Sequence, residues 1–221
     1  MVGFDRCIIK KHLMRNLKEH WNKIYKKNTV EKLGWYEEDV SPTLRLIEEA
    51  GIGPNARILN VGAGATTLID TLLERGYDKL MATDISEAAL KKLTERIIGK
   101  FNGVECIVDD VTNPAILSTL EPVDLWIDRA VLHFFTEEED RSAYNKLMNQ
   151  ILRKYGYVLL AQFNLDSAEM CSGLPVFRYN IDLLQNTVGG NFKLISHFNY
   201  TYTMPSGDKR PYIYALFQKV D

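Results

Sequence analysis

The run Ile58-Leu59-Asn60-Val61-Gly62-Ala63-Gly64-Ala65-Thr66-Thr67-Leu68 decides the fold. A short apolar strand enters a glycine-rich turn, and the turn enters a helix. Glycine at 62 and 64 lets the backbone turn sharply and lets a ligand approach with no Cβ in the way. In an open α/β sheet this turn lies at the carboxyl ends of the strands, where ligands bind. Taken alone, the run also has the reading of a tight turn and no more.

Its surroundings repeat the same alternation. The pattern predicts strands at Arg57–Val61, Leu80–Asp84, Val104–Val108, Val123–Asp128 and Tyr157–Phe163. Between them it predicts helices at Thr66–Arg75, Glu87–Ile98 and Glu137–Lys154, with an irregular segment near Asn113–Leu120. Short apolar runs alternating with helices are the signature of a parallel sheet with crossover helices. Ser86 is placed to cap the second helix. Phe192–Thr203 and Pro211–Lys219 read as strands around a turn-rich Met204–Arg210, so an antiparallel hairpin ends the sheet. Upstream, Ile9–Lys27 carries Leu13, Leu17, Trp21 and Tyr25 on one helix face. Ser41-Pro42 opens a second helix, Ser as cap and Pro at the first helical position, and Gly51 closes it. The expected fold is α/β: a Rossmann-like three-layer sandwich with a mostly parallel seven-stranded sheet, a C-terminal antiparallel hairpin and an N-terminal helical lid. One domain is expected over 1–221, with the lid at 1–52 and the core at 53–221.

Composition narrows the function classes. The 221 residues are 46% hydrophobic and 25% charged, with net charge −2. That balance gives no electrostatic footprint for nucleic acid or an anionic membrane. No run of ~18 apolar residues suggests a membrane span. The first 28 residues carry eight Lys/Arg against Asp5 and Glu19. They read as a solvated helix face or as a docking helix for an anionic partner, and their scattered charge does not suit a signal peptide. Cys7, Cys106 and Cys171 make neither a disulfide framework nor a zinc site. The four histidines are too scattered for a metal centre. A soluble, cytoplasmic protein without a metal is expected.

Two acidic stations follow the glycine loop. Asp84 lies 22 residues after Gly62, at the predicted end of the second strand, with Ile85 beside it. A carboxylate there accepts both ribose hydroxyls of a nucleoside cofactor; its other reading is a helix cap, which Ser86 already supplies. Asp109-Asp110-Val111 ends the third strand. One of these carboxylates is suited to the exocyclic amine of adenine, with Val111 against the ring; otherwise the segment is a loop turn. A dinucleotide fingerprint would need glycine at 67, where the chain has Thr67.

The loop, Asp84, Asp110 and the final hairpin together resemble the class I S-adenosylmethionine-dependent methyltransferases. In that family the loop reads approximately D/E-x-G-x-G-x-G. Gly62 and Gly64 match; Asn60 and Thr66 depart from the pattern. The resemblance covers about residue 20 to the end. It implies cofactor contacts from Gly62, Ala63, Gly64, Asp84, Ile85, Asp110 and Val111. A closer likeness comes at Leu125–Phe134 with Asp140-Arg141-Ser142-Ala143-Tyr144, which is similar to the D-R-G-A-L…D-R-x-x-Y stretch of thiopurine and thiol methyltransferases. Those enzymes also fold N-terminal aromatics over the cofactor, as Trp21, Tyr25 and Trp35-Tyr36 would here. Cys171–Tyr179 looks like a segment of uncharacterised bacterial methyltransferases of this group, where part of the acceptor pocket is built. By the resemblance, Arg129 sits near the cofactor carboxylate or the acceptor.

The implied chemistry is in-line displacement from a sulfonium, leaving S-adenosylhomocysteine. The protein then chiefly orients and excludes water. Asp128, Arg129 and His133 are the candidate catalytic residues. A buried Asp128 needs a partner, either a cofactor ammonium, to which it would also bind, or an arginine. His133 is a candidate base or a packed histidine at a helix start. Nothing supports Cys171 as a nucleophile, and Arg178 reads as an anion-binding or structural residue. The expected acceptor is a small molecule. The alternatives are a protein acceptor, lysine first, and a non-catalytic nucleoside-binding domain.

Overall fold

The structure, a computed structural model, describes residues 17–99 and 103–220. Residues 17–27 are helical and belong to α1; its predicted start at Ile9 and the first 16 residues of the basic segment lie outside the described residues. The further elements are α2 (Ser41–Glu49), β1 (Arg57–Val61), α3 (Leu68–Glu74), β2 (Lys79–Asp84), α4 (Glu87–Ile97), β3 (Val104–Val108), β4 (Val123–Arg129), α5 (Glu138–Ile151), β5 (Leu152–Phe163), β6 (Met170–Cys171), β7 (Leu174–Pro175), α6 (Ile181–Val188), β8 (Phe192–Thr203) and β9 (Lys209–Lys219).

Seven strands form one sheet in the order β3-β2-β1-β4-β5-β9-β8. Strands β1 to β5 run parallel, and β9 and β8 add as an antiparallel hairpin. The Rossmann-like expectation holds. Chain order turns round between β1 and β4, which opens a crevice at their carboxyl ends, beside Gly62.

The period of two along each strand divides the core into two layers. Leu125 and Ile127 of β4, with Tyr214 and Leu216 of β9, face α2, α3 and α4. Trp126 of β4, with Ile213, Ala215 and Phe217 of β9, faces α5 and α6. This alternation fixes where the end of β4 sends its functional side chains.

Several local expectations are corrected. Ser41 is the first residue of α2, not its cap; Val40 holds the cap position, and the Asp39 carboxylate accepts from Ser41 N at 2.9 Å. Strand β5 begins at Leu152 instead of Tyr157, passing Tyr155 at φ +62°. Helix α6 and the small β6–β7 hairpin were not expected; the Asn180 side chain caps α6 by accepting from Leu183 N. Among the described residues no helix is long and apolar enough to cross a membrane.

Candidate active site

The loop after β1 is built for close approach. Gly62 and Gly64 have φ of +57° and +55°, the left-handed region that favours glycine. A Cβ at 62 would lie 1.9 Å from Val131 Cγ2, and one at 64 would lie 2.2 Å from the Tyr25 hydroxyl. Thr66, which departs from the glycine pattern, accepts from Leu68 N at 3.1 Å through its hydroxyl. Arg96 of α4 braces the turn, pairing with Asp70 and donating to the carbonyls of Ala65 and Thr66.

Asp84 ends β2 beside this loop. Its Oδ2 accepts from Gly64 N and its Oδ1 from Ser86 N, both at 2.8 Å. Burial pushes the carboxyl up to about 6, against the pull of the Ser86, Gly64 and Ile85 backbone. Each oxygen keeps a lone pair for a further donor. Ser86 caps α4 through Ala89 N and donates to Asn22 of α1, which ties the N-terminal helix to the site. The adjacent acids differ. Asp109 accepts from the backbone of Asp110, Ala115, Ile116 and Leu117, so it organises its own loop. Asp110 uses Oδ1 on Thr112 and leaves Oδ2 without a partner among the described residues.

The end of β4 splits the three candidate catalytic residues. Asp128 follows Trp126 onto the α5 face, where it is fully buried. It accepts from Val131 N, Leu132 N, Tyr144 Oη and Gln162 Nε2. These four bonds answer the cost of burying its charge without Arg129. His133 is also fully buried, its ring between Phe134 and Phe163 with centroids 4.4 and 4.5 Å away. Burial, and then Arg129, push it down to about 3, which leaves a neutral imidazole that is a very weak base. Neither Asp128 nor His133 is among the residues that line the cavity.

Arg129 follows Ile127 to the other face. Its Nε pairs with Glu37 at 3.0 Å, Nη1 donates to the Trp35 carbonyl, and the guanidinium stacks over Tyr202 and Tyr212. Its Nη2 is buried with no partner among the described residues.

One cavity of about 1110 Å³ runs over these parts. It is lined by Trp21, Tyr25, Trp35, Gly62, Asp84, Ile85, Asp110, Val111 and Arg129, so most of the sequence-predicted set comes together. Ala63 instead lines a recess of about 50 Å³ next to Arg129, together with Tyr36, and Gly64 lies beneath Tyr25. The aromatics interlock: Trp35 Nε1 donates to Tyr25 Oη at 3.0 Å, and Trp21 packs edge-on to Trp35 and Phe134.

Residues 58–156 match the family model described as a methyltransferase domain. Over that stretch the chain carries a methyltransferase domain. It is 25% identical over 190 residues to EEF1A lysine methyltransferase 2 of Danio rerio, covering 80% of this chain and 79% of that one. Its fold is similar to that of a SAM-dependent methyltransferase from Anabaena variabilis, with a TM-score of 0.76 at 13% identity over 94% and 95% of the two chains. The N-methyltransferase NodS of Bradyrhizobium japonicum, in complex with S-adenosyl-L-homocysteine, gives a TM-score of 0.64 at 13% identity, covering 91% of this chain and all of that one (100%).

The lining of the methyltransferase domain suits its cofactor in kind. A loop open to close approach, a buried carboxylate with spare lone pairs and the Arg129 side chain meet in one cavity. That cavity exceeds the upper end of the usual ligand-pocket range, about 300–1,000 Å³, and so has room for an acceptor as well. Residues the sequence did not flag complete it: Glu37 holds Arg129, and Phe163, Met204, Arg210 and Tyr212 line the far end beside Cys171. Alternation of Arg210, Tyr212 and Tyr214 along one strand face was a legible signal; Glu37, in an acidic run without period, had none.

Proposed function

We propose that this methyltransferase acts on a small-molecule acceptor carrying a soft nucleophile, a thiol first. The observation that carries the reading is the continuity of the cavity. It runs from Asp110 and Asp84 past Gly62 to Arg129, then on to Phe163, Cys171 and Tyr212. In this reading Asp84 accepts the two ribose hydroxyls, Asp110 accepts the adenine amine against Val111, and the positive charge of Arg129 attracts the cofactor carboxylate. S-adenosylmethionine supplies a methyl group already attached to a sulfonium leaving group. Trp21, Tyr25 and Trp35 exclude water from it, and Phe163 and Tyr212 orient the acceptor.

The far end favours an acceptor that brings its own negative charge. Tyr212 and Cys171 keep their protons near neutrality, because burial pushes both upward. A thiol ionises close to neutral pH unaided, whereas a lysine ammonium must lose its proton from a pKa of about 10.4. Asp128 and Gln162 act as positioning residues: Asp128 holds Val131 N and Leu132 N, and Gln162 holds His133 N, so the turn after β4 keeps its shape.

A second reading, a protein lysine acceptor, is favoured by Glu137, Glu139 and Asp140 lining the cavity at the start of α5, and by the lysine methyltransferase relative. Incubation with methyl-labelled S-adenosylmethionine separates the two. Label transferred to aromatic thiols or heterocycles supports the first. Label that enters only protein in a cell lysate overturns it in favour of the second.

A further inference from the structure

Apart from Glu137, Glu139 and Asp140 at the start of α5, the charges lining the cavity are divided by the sheet. Asp84 and Asp110 stand at the carboxyl ends of β2 and β3, on one side of the switch between β1 and β4. Arg129 and Arg210 stand at the end of β4 and the start of β9, on the other. Tyr212, Phe163, Cys171 and Met204 line the same cavity and carry no carboxylate.

Arg210 owes its position to strand alternation. It is in phase with Tyr212 and Tyr214 on β9 and opposite Tyr202 of β8 in the register. Tyr202 and Tyr212 are the rings over which Arg129 stacks. Both guanidiniums therefore belong to one face of the sheet, at one end of the cavity. Their settings differ. Arg129 is neutralised by Glu37 at 3.0 Å. Arg210 is half-buried and makes one bond, to the Lys209 carbonyl, with no carboxylate partner among the described residues. The positive field of Arg210, with that of Arg129, acts on the Cys171 thiol and opposes the effect of its burial.

We propose that Arg210 is a specificity-determining residue that pairs with an anionic group, a carboxylate, on an acceptor whose apolar body lies against Phe163 and Tyr212. The inference rests on the small-molecule reading and deepens it. An uncompensated guanidinium beside an apolar lining gains a charge-assisted, bidentate pair of hydrogen bonds from a carboxylate, and only a weaker bond to a single carbonyl oxygen from its neutral amide. It also repels the ammonium of a lysine acceptor.

The test compares 4-mercaptobenzoate with 4-mercaptobenzamide as acceptors for the full chain with S-adenosylmethionine. KM is expected to be at least about tenfold lower for the carboxylate, with that preference shrinking as salt rises. R210A should bring the ratio of the two KM values close to one, and R210K should restore part of it. Calorimetric binding of S-adenosylhomocysteine to R210A reports that the fold and cofactor site are intact. Equal KM values in the native chain, or an unchanged ratio in a folded R210A, overturn the role of Arg210 while leaving the small-molecule reading in place. Transfer to neither thiol, with label entering lysate protein, overturns both.

Discussion

Arg129 Nε lies 3.0 Å from Glu37 Oε2, an ion pair that joins the end of β4 to the segment following the N-terminal aromatics. Both side chains are at most 13% exposed. The pair is reinforced by Tyr214, whose hydroxyl accepts from Arg129 Nε and donates to Glu37 Oε1. The N-terminal cover is thus fastened to the residue that reaches the cavity.

Removing one partner strands the other charge. Glu37→Ala should lower the unfolding free energy by about 3–5 kcal/mol, as expected for an orphaned buried ion. Replacing both, Glu37→Leu with Arg129→Met, should recover most of that loss. Urea denaturation of the two variants checks this; equal losses in both would show that the pair is not the stabilising unit.

The glycine loop and the aromatic cover are coupled through Gly64. Gly64→Ala puts a Cβ 2.2 Å from the Tyr25 hydroxyl at a φ of +55°. Tyr25 must turn away, and Trp35 then loses its bond to it. Affinity for S-adenosylhomocysteine should fall about tenfold, with a change in tryptophan emission. Adding Tyr25→Phe should restore part of the affinity, since the closest remaining atom, Cζ, is 3.2 Å away. Unchanged affinity in Gly64→Ala would remove Tyr25 from the cofactor's cover.

His133 gives the fold a pH signature. Its folded pKa, about 3, lies below the ordinary 6.5. Between these values the unfolded chain holds the extra proton, so stability falls as pH drops below 6.5. Asp84 works in the opposite sense: raised to about 6 when folded, it takes up its proton first in the native state, and stability rises as pH falls through 6. His133→Leu removes only the first effect. The change in unfolding free energy between pH 7.5 and 5 should therefore shift by about 2 kcal/mol in favour of the variant at pH 5. Identical pH profiles would show that the imidazole titrates normally in the folded chain.

The fold was legible wherever local pattern and tertiary environment agree. Strands β1, β3 and β8 have the predicted limits, because their apolar runs end at clear turn residues. Strand β5 was read short because Arg153-Lys154-Tyr155-Gly156 breaks the apolar run, although the backbone continues through it. Helix α6 spans eight residues, too few for its period to stand out. At the cavity, Gly62 and Asp84 were legible by spacing along the chain, and Asp110 through the family resemblance. Asp128 and His133 were not, because Tyr144 and Gln162 decide where Asp128 points, and Phe163 shares the packing of His133. Those partners come from other elements, and no spacing within the β4 motif records them.

The most direct test of the central claim is calorimetry of the full chain and of Asp84→Ala with S-adenosylhomocysteine at pH 7.5. The native chain should bind on the micromolar scale. Asp84→Ala, still unfolding cooperatively, should bind at least ~100-fold more weakly, since both hydroxyl bonds to a charged acceptor go together. Absence of binding by the native chain, or equal affinity in the folded variant, would contradict the account.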